Sequence, residues 1–157
     1  MVEIEIGNNA PVFTLTDINL KKISITDFEN KGVLAFYPGA FTSVCTKEMC
    51  AFRDSLTKLN DMKAQVIGIS VNDPFCNKAF SEINVLNFTL LSDYSREVIK
   101  IYGVAVEDFA GLQGYTTAKR SIFIIDDKSI IRYKWITEDP TVEPNYDDIL
   151  SELEEIK

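Results

Sequence analysis

Residues 32–50 read GVLAFYPGAFTSVCTKEMC, and this stretch decides the fold. Its first part, residues 32–38, is a continuous apolar run, as expected for a strand that is covered on both faces of a sheet. Pro38 and Gly39 end the run and allow a sharp turn. From residue 42 to residue 60 the spacing of apolar residues predicts a helix with one buried face. The residues on that face are Met49, Phe52, Leu56 and Leu59.

The rest of the chain alternates strand and helix patterns in the same way. We predict further strands within residues 10–19, 21–28, 65–71, 88–93, 120–126 and 130–136, with a hairpin at residues 127–129. Helices are predicted over residues 74–83, 95–104 and 145–157. The order β-β-β-α-β-α-β-α-β-β-α predicts an α/β fold, a mixed central sheet flanked by helices on both faces. No linker or repeat divides residues 1–157, so we expect a single domain.

The composition excludes several classes of function. The chain has 157 residues, of which 46% are hydrophobic, enough for a substantial core. Its formal net charge of −8 opposes binding to nucleic acid or to an anionic membrane surface. It has no histidine, which removes histidine-based catalytic triads and imidazole metal sites. We find no membrane-spanning run and no signal-peptide pattern, and we expect a cytoplasmic protein.

Cys45 lies in the first turn of the helix that follows the buried strand. In sheets of this kind, sites form beyond the carboxyl ends of central strands, where helices begin. If Thr42 is the N-cap, its hydroxyl is expected to accept a hydrogen bond from the amide of Cys45, the third helical residue. The Cys45 thiolate would then face unpaired amides and the positive end of the helix, an environment that favours a reactive thiolate. The alternative is an inert cysteine that serves as a small buried hydrophobic residue, which is the commoner case.

Residues 37–54, YPGAFTSVCTKEMCAFRD, resemble the active-site segment of the peroxiredoxins, which carry Pro-x-x-x-Thr-x-x-Cys. Here that motif is Pro38, Thr42 and Cys45. The resemblance continues through IGNNAPVFTL, VIGISVNDPF, LLSDYSREVIKIYGV and AKRSIFIIDDKSIIRY. It implies a thioredoxin-like fold and a thiol-dependent peroxidase that reduces hydrogen peroxide and organic hydroperoxides. It also implies that neither a metal nor an organic cofactor is needed.

The resemblance assigns a role to each residue of the site. Cys45 is expected to be the peroxidatic cysteine, which becomes a sulfenic acid. Thr42 is expected to hold the peroxide oxygen, and Pro38 to shield the thiolate from water. Arg120 is expected to stabilise the thiolate and the charge that develops on the oxygens. Glu48 is a candidate for orienting that arginine, although without the resemblance Arg120 and Glu48 would be taken for surface charges.

Cys50 is the first candidate for resolving the sulfenic acid. Its position five residues after Cys45 resembles the bacterioferritin-comigratory, or Q-type, branch of the family. In an intact helix the two Cα atoms stand roughly 8.6 Å apart, whereas a disulfide needs about 4.4–6.8 Å. Closure therefore requires residues 42–51 to unwind. The segments PGAFTSVCT and SVNDPF resemble instead the peroxiredoxin-5 branch, so Cys76 or an external thiol stays open as the alternative.

Two other functions stay open from the residues alone. A thioredoxin-type disulfide reductase needs C-x-x-C, where this chain has C-x-x-x-x-C. A non-enzymatic thioredoxin-fold binding or chaperone module would leave the thiols without a role. The discriminating observation is whether the reduced chain consumes hydrogen peroxide rapidly and loses one thiol at Cys45.

The resemblance also implies partners. We expect a thiol reductant such as a thioredoxin or a glutaredoxin-type protein, and a homodimer is possible, as in many relatives. Four apolar loop residues are predicted to form either a pocket for an alkyl hydroperoxide or a dimer surface: Phe41, Phe75, Phe109 and Leu112. Arg53, on the helix after the cysteine, is either a partner within the site or a solvated charge.

Overall fold

The computed structural model describes residues 4–156, which contain nine strands. The strands are β1 (Thr14–Asp17), β2 (Lys22–Ser24), β3 (Lys31–Phe36), β4 (Ala64–Ser70), β5 (Thr89–Ser92), β6 (Ala105–Val106), β7 (Thr117–Ala118), β8 (Ser121–Ile125) and β9 (Ile131–Ile136). Seven of them form one sheet in the order β2-β1-β5-β4-β3-β8-β9. Strands β6 and β7 pair as a separate antiparallel ribbon.

The centre of the sheet is parallel and its flanks are antiparallel. Strand β4 pairs in parallel with both β3 and β5, and the remaining pairings within the sheet are antiparallel. In β3, residues 33–36 are completely buried, as the continuous apolar run predicts. The predicted mixed sheet is therefore confirmed.

Helices cover both faces of this sheet. The α-helices of the described residues are α1 (Ser43–Asp54), α2 (Leu56–Asp61), α3 (Pro74–Asn84), α4 (Glu97–Ile101) and α5 (Tyr146–Glu155). Helix α4 packs on one face through Val98 and Ile99, and the other helices pack on the opposite face. Short 3₁₀ turns occupy Ile25–Asp27 and Phe109–Gly111. No helix within residues 4–156 is long and apolar enough to cross a membrane.

The structure differs from the predicted elements in two places. The single helix predicted over residues 42–60 is divided at Ser55, whose backbone has φ −98° and ψ 2°. The Ser55 amide bonds to the carbonyls of Ala51 and Phe52, which closes α1. The apolar spacing continues into α2 through Leu59, so periodicity carries no sign of the break. Strands β6 and β7 lie where no strand is predicted, because strands of two residues are too short to show alternation. The helix predicted to Lys157 is α5, and Lys157 lies outside the described residues.

The strand register brings distant segments to one edge of the sheet. Because β3 and β4 are parallel, the loops that lead into α1 and α3 leave the same edge. Strand β8 runs antiparallel to β3, and Ser121 is paired with Phe36, the last residue of β3. Arg120 therefore lies beside the turn that leads from β3 into α1, although it is far away in sequence.

Helix α1 sits close to the sheet over Gly68 of β4. A Cβ atom at Gly68 would lie 3.3 Å from Sδ of Met49 and 3.3 Å from Cε1 of Tyr37. It would lie only 2.6 Å from Cδ2 of Leu90. The glycine thus provides the space that lets the buried face of α1 approach the strand.

We predict that Gly68→Ala lowers the free energy of unfolding by about 1–3 kcal/mol, because the buried Leu90 and Met49 must shift to admit the methyl group. Urea denaturation monitored by circular dichroism measures this loss. Gly32→Ala is the matched control in β3, where the nearest atom to a new Cβ is Cγ1 of Ile125 at 3.2 Å. Its loss should be smaller, and an unchanged denaturation midpoint in Gly68→Ala would contradict the packing argument.

Candidate active site

The turn between β3 and α1 is held by hydrogen bonds from two other segments. The amide of Ala40 donates to Oδ1 of Asn72 at 2.8 Å, just after β4. The buried hydroxyl of Thr117 donates to the carbonyl of Pro38 at 2.6 Å. These contacts fix both sides of the turn, so the start of α1 has a defined position at the sheet edge. The apolar patterns used to predict the elements gave no indication of Asn72 or Thr117.

Phe41 adopts a backbone conformation that is uncommon for a residue with a side chain. Its φ of 67° lies in the left-handed region. Its ring packs edge-on against the buried ring of Phe80, with 5.1 Å between centroids. This contact with α3 holds the residue before the helix cap, while about half of the Phe41 side chain stays exposed.

Thr42 is the N-cap of α1, as predicted, but its side chain does not cap the helix. Its hydroxyl donates instead to the carbonyl of Gly39 at 2.9 Å. The expected bond from the amide of Cys45 to this hydroxyl is therefore wrong, because the tight turn turns the hydroxyl back towards Gly39. As a result, the Thr42 side chain leaves the amide of Cys45 uncapped, and the hydroxyl oxygen can still accept hydrogen bonds.

Cys45 and Arg120 meet at this edge, although they are 75 residues apart in sequence. Nη2 of Arg120 donates to Sγ of Cys45 at 3.3 Å. Cys45 is 1% exposed and Arg120 is 2% exposed, so water screens this contact little. Burial lowers the pKa of Arg120, but the neighbouring Glu48 and Cys45 outweigh this effect and raise the pKa above its ordinary value. The guanidinium therefore stays positive beside the sulfur.

Glu48 completes a buried charge cluster. It lies one turn after Cys45 on the same side of α1, and Nη1 of Arg120 donates to its Oε1 at 2.9 Å. Its side chain is completely buried, and burial raises its pKa to about 7 despite the opposing effect of Arg120. Oε2 of Glu48 and Nε of Arg120 find no hydrogen-bond partner among residues 4–156. Glu48 thus contacts Arg120 directly, and its role in orienting the arginine stays a prediction.

A backbone carbonyl from the segment after β9 is the third partner of Arg120. Nη2 of Arg120, the nitrogen that contacts Cys45, also donates to the carbonyl of Pro140 at 2.7 Å. The same segment leads to Glu143, whose Oε1 accepts a 2.7 Å hydrogen bond from the hydroxyl of Tyr146. Sequence analysis missed Pro140, since a carbonyl that contributes through the backbone leaves no mark in the residue type.

The other two cysteines lie in contrasting surroundings. Cys50 is half-buried in α1, and its thiol donates a long hydrogen bond of 3.9 Å to Oδ1 of Asn84. Cys76 occupies the third position of α3, as Cys45 does in α1, but the Asp73 side chain accepts a bond from its amide at 2.8 Å. Burial and the Asp73 carboxylate together raise the pKa of Cys76. Among the residues described, all three cysteines are free thiols.

Of the remaining predicted residues, Phe109 lines a cavity of about 200 Å³ together with Arg120 and Pro140 of the buried cluster. Nη1 of Arg53 donates to the carbonyl of Asn84 at 2.6 Å, and its Nε pairs with Asp54 at 3.0 Å. Arg53 is therefore not bonded to Cys45 or Glu48. Phe75 and Leu112 are exposed, and Phe109 packs near Tyr115 with centroids 6.4 Å apart.

The chain is similar in sequence to a known protein family and to curated proteins. The AhpC/TSA family matches residues 6–134. A chloroplastic peroxiredoxin Q of Populus jackii is 40% identical over 80% of this chain and 57% of its own length. A putative peroxiredoxin bcp of Coxiella burnetii is 37% identical over 85% of this chain and 89% of its own length. The chain therefore spans less than two thirds of the chloroplastic relative.

The fold is also similar to that of a solved structure. The crystal structure of peroxidoxin BcpB from Mycobacterium tuberculosis superposes with a TM-score of 0.88, at 28% identity and 99% coverage of both chains. This likeness confirms the thioredoxin-like fold class implied by the resemblance. From the family match and these relatives, the chain belongs to the AhpC/TSA family, among the peroxiredoxins.

Proposed function

We propose that this chain is a thiol-dependent peroxidase in which Cys45 reduces hydrogen peroxide and organic hydroperoxides. The observation that carries the proposal is the 3.3 Å contact between Sγ of Cys45 and Nη2 of Arg120 at a buried helix start. A cation so placed favours the thiolate, which is the nucleophilic form of cysteine. Family membership supports the same chemistry.

In the first step the Cys45 thiolate attacks one oxygen of the peroxide. A sulfur–oxygen bond forms as the oxygen–oxygen bond breaks, so the sulfur loses two electrons and the peroxide gains two. The leaving oxygen takes a proton from solvent and departs as water or an alcohol, and Cys45 becomes a sulfenic acid. Arg120 and the uncapped Cys45 amide stabilise the charge that spreads over the two oxygens.

Thr42 and Pro38 shape the place where the peroxide binds. The Thr42 hydroxyl donates to Gly39, so its free lone pairs can accept the O–H of the peroxide and hold the oxygen that bears this hydrogen for attack by the sulfur. Pro38 is buried beside the sulfur-bearing helix and limits the approach of water. Thr42 itself is exposed, which gives a small substrate a path to the buried thiol.

In the second step Cys50 attacks the sulfenic sulfur of Cys45, a disulfide forms, and water leaves. Both cysteines lie within the continuous helix α1, so this step requires part of the helix to unwind. Cys76 suits this attack less, since its raised pKa disfavours the thiolate. An external dithiol, such as a thioredoxin or glutaredoxin-type protein, then reduces this disulfide to two thiols and is itself oxidised to a disulfide.

We propose a location and partners that suit this cycle. A cytoplasmic location supplies the reducing thiols that the cycle consumes. The net charge of −8 supports small-molecule and protein partners over nucleic acid or membranes. Two copies of the chain associate as a homodimer through a surface that includes the exposed Phe75 and Leu112. The burial of Cys45 disfavours a disulfide reductase, whose cysteine must reach the disulfide of another protein.

We predict that Cys45→Ser abolishes peroxide consumption, because serine cannot supply the nucleophilic sulfur. Stopped-flow measurement with reduced protein and equimolar hydrogen peroxide tests this, together with a thiol count before and after the reaction. Cys76→Ser is the matched control and should retain the wild-type rate within about two-fold. A wild-type chain that reacts no faster than a free cysteine would favour the binding or chaperone module instead.

We predict that Glu48 makes stability depend on pH between about 4.5 and 7. The unfolded carboxyl loses its proton near 4.5, whereas burial lets the folded one keep its proton up to about 7. The stabilisation from the protonated form is complete below 4.5 and is lost as the pH rises through 7, by on the order of 1–3 kcal/mol. Glu48→Gln keeps the acceptor for Arg120 but cannot titrate.

Urea denaturation of both proteins from pH 4 to pH 8 measures this effect as the difference between their free energies of unfolding. The wild type should lose stability relative to Glu48→Gln as the pH rises. Parallel curves across the range would contradict the buried, proton-holding state of Glu48.

We predict that Cys50→Ser prevents the intramolecular disulfide, so that Cys45 stays a sulfenic acid and is oxidised further at excess peroxide. In Cys76→Ser the bridge between residues 45 and 50 should form as in the wild type. Mass spectrometry of peptides after one equivalent of peroxide distinguishes these products. A bridge from Cys45 to Cys76, or a wild type that holds only sulfenic acid, would refute the role of Cys50.

A further inference from the structure

The carboxyl end of α3 contacts the middle of α1 through two side chains. Oδ1 of Asn84 accepts a hydrogen bond from the thiol of Cys50 at 3.9 Å, and the Asn84 carbonyl accepts one from Nη1 of Arg53 at 2.6 Å. The Asn84 side chain is itself fixed, since its Nδ2 donates to the carbonyl of Phe80 at 3.0 Å. Val85, with φ 51°, ends α3 directly after Asn84 and exposes that carbonyl. Asn84 is therefore a rigid point of attachment for α1.

The two attachments use the side of α1 that does not face the sheet. Cys50 and Arg53 are three residues apart and lie on one side of the helix, whereas Met49 and Phe52 are buried in the core beneath it. The bond from Arg53 joins a cation to the carbonyl end of a helix, where the helix dipole favours positive charge. Neither contact involves Cys45 or Arg120, so both are separate from the site of peroxide attack.

These contacts exist only while α1 is intact. When Cys50 moves towards Cys45 it must leave Asn84, and the adjoining turn that carries Arg53 must loosen with it. The contacts therefore oppose disulfide formation without opposing the attack of Cys45 on peroxide. While α1 stays folded, the sulfenic acid can react with a second peroxide. One oxygen of that peroxide is transferred to the sulfur, which gives a sulfinic acid, and the other oxygen leaves as water or an alcohol.

We propose that Asn84 and Arg53 form a latch on α1, and that these two positioning residues set the balance between the disulfide and overoxidation of Cys45. The inference rests on the proposed function and on Cys50 as the resolving residue. A tight latch delays the bridge and makes the enzyme sensitive to excess peroxide. A loosened latch speeds the bridge and protects Cys45.

The test compares Arg53→Gln with Asp54→Asn. The glutamine side chain is shorter than that of arginine and is uncharged, so Arg53→Gln removes the latch. Asp54→Asn removes only the exposed ion pair to Arg53 and leaves the latch in place. After a pulse of excess hydrogen peroxide without external thiol, mass spectrometry gives the ratio of the 45–50 disulfide to the Cys45 sulfinic acid. We expect this ratio to rise about three- to ten-fold in Arg53→Gln and to stay unchanged in Asp54→Asn.

Two further variants separate the latch from a general loss of stability. Arg53→Lys can still donate to the Asn84 carbonyl, so its ratio should return towards the wild type. Ile131→Val removes one methylene from the core on the opposite face of the sheet and should lower stability without changing the ratio. Hydrogen exchange of the reduced protein should be faster over residues 45–51 in Arg53→Gln alone.

The outcomes are distinguishable. Equal ratios and equal exchange in Arg53→Gln and Asp54→Asn would overturn the latch. A wild type that consumes peroxide but never forms the 45–50 bridge would also overturn it, while leaving the peroxidase function in place. A wild type that does not consume peroxide would overturn the proposed function and, with it, this inference.

Discussion

One buried guanidinium holds the site together. Removing a charged group from water costs several kcal/mol unless partners replace the lost hydration. Arg120 has three such partners: the thiol of Cys45, the carboxyl of Glu48 and the carbonyl of Pro140. They come from α1 and from the segment after β9, so the cluster ties together parts of the chain that the sheet alone leaves apart. The site is therefore also a structural crosslink, and loss of any one partner leaves the buried charge less well compensated.

The two helix starts at this edge place their thiols in contrasting surroundings. Cys45 and Cys76 each occupy the third position of a helix that follows a parallel strand. Asp73 caps the amide of Cys76 and places a carboxylate near its sulfur, whereas Thr42 turns away from Cys45 and leaves its amide open. Cys45 faces a cation in place of that carboxylate. The helix terminus is common to both thiols, so the difference comes from the cap and from Arg120.

Sequence patterns predicted what depends on side-chain type and spacing. The continuous apolar run predicted β3, and the order of elements predicted the mixed sheet. The segment around Pro38, Thr42 and Cys45 indicated the site because those residues are close in sequence, and Arg120 was found through a segment that resembles the family. The break at Ser55, the direction of the Thr42 hydroxyl and the carbonyl of Pro140 depend on backbone geometry. A residue type does not encode that geometry, which is why these features became visible only in the fold.

Helix α1 has to meet two opposing demands. To activate Cys45 it must hold the sulfur against Arg120, which requires the ordered start of the helix and the core contacts of Met49. In the proposed second step, it must give up that order over several residues so that Cys50 can reach Cys45. The contacts that can be given up at least cost are those on the outer side of the helix, because breaking them exposes no core residue to water. Cys50 is attached on that side by a long hydrogen bond of 3.9 Å, while the stronger attachment of Arg53 lies one turn further on. The attachment nearer to Cys45 is thus the weaker one, and the attachment of Arg53 is the one that resists the loss of helical order.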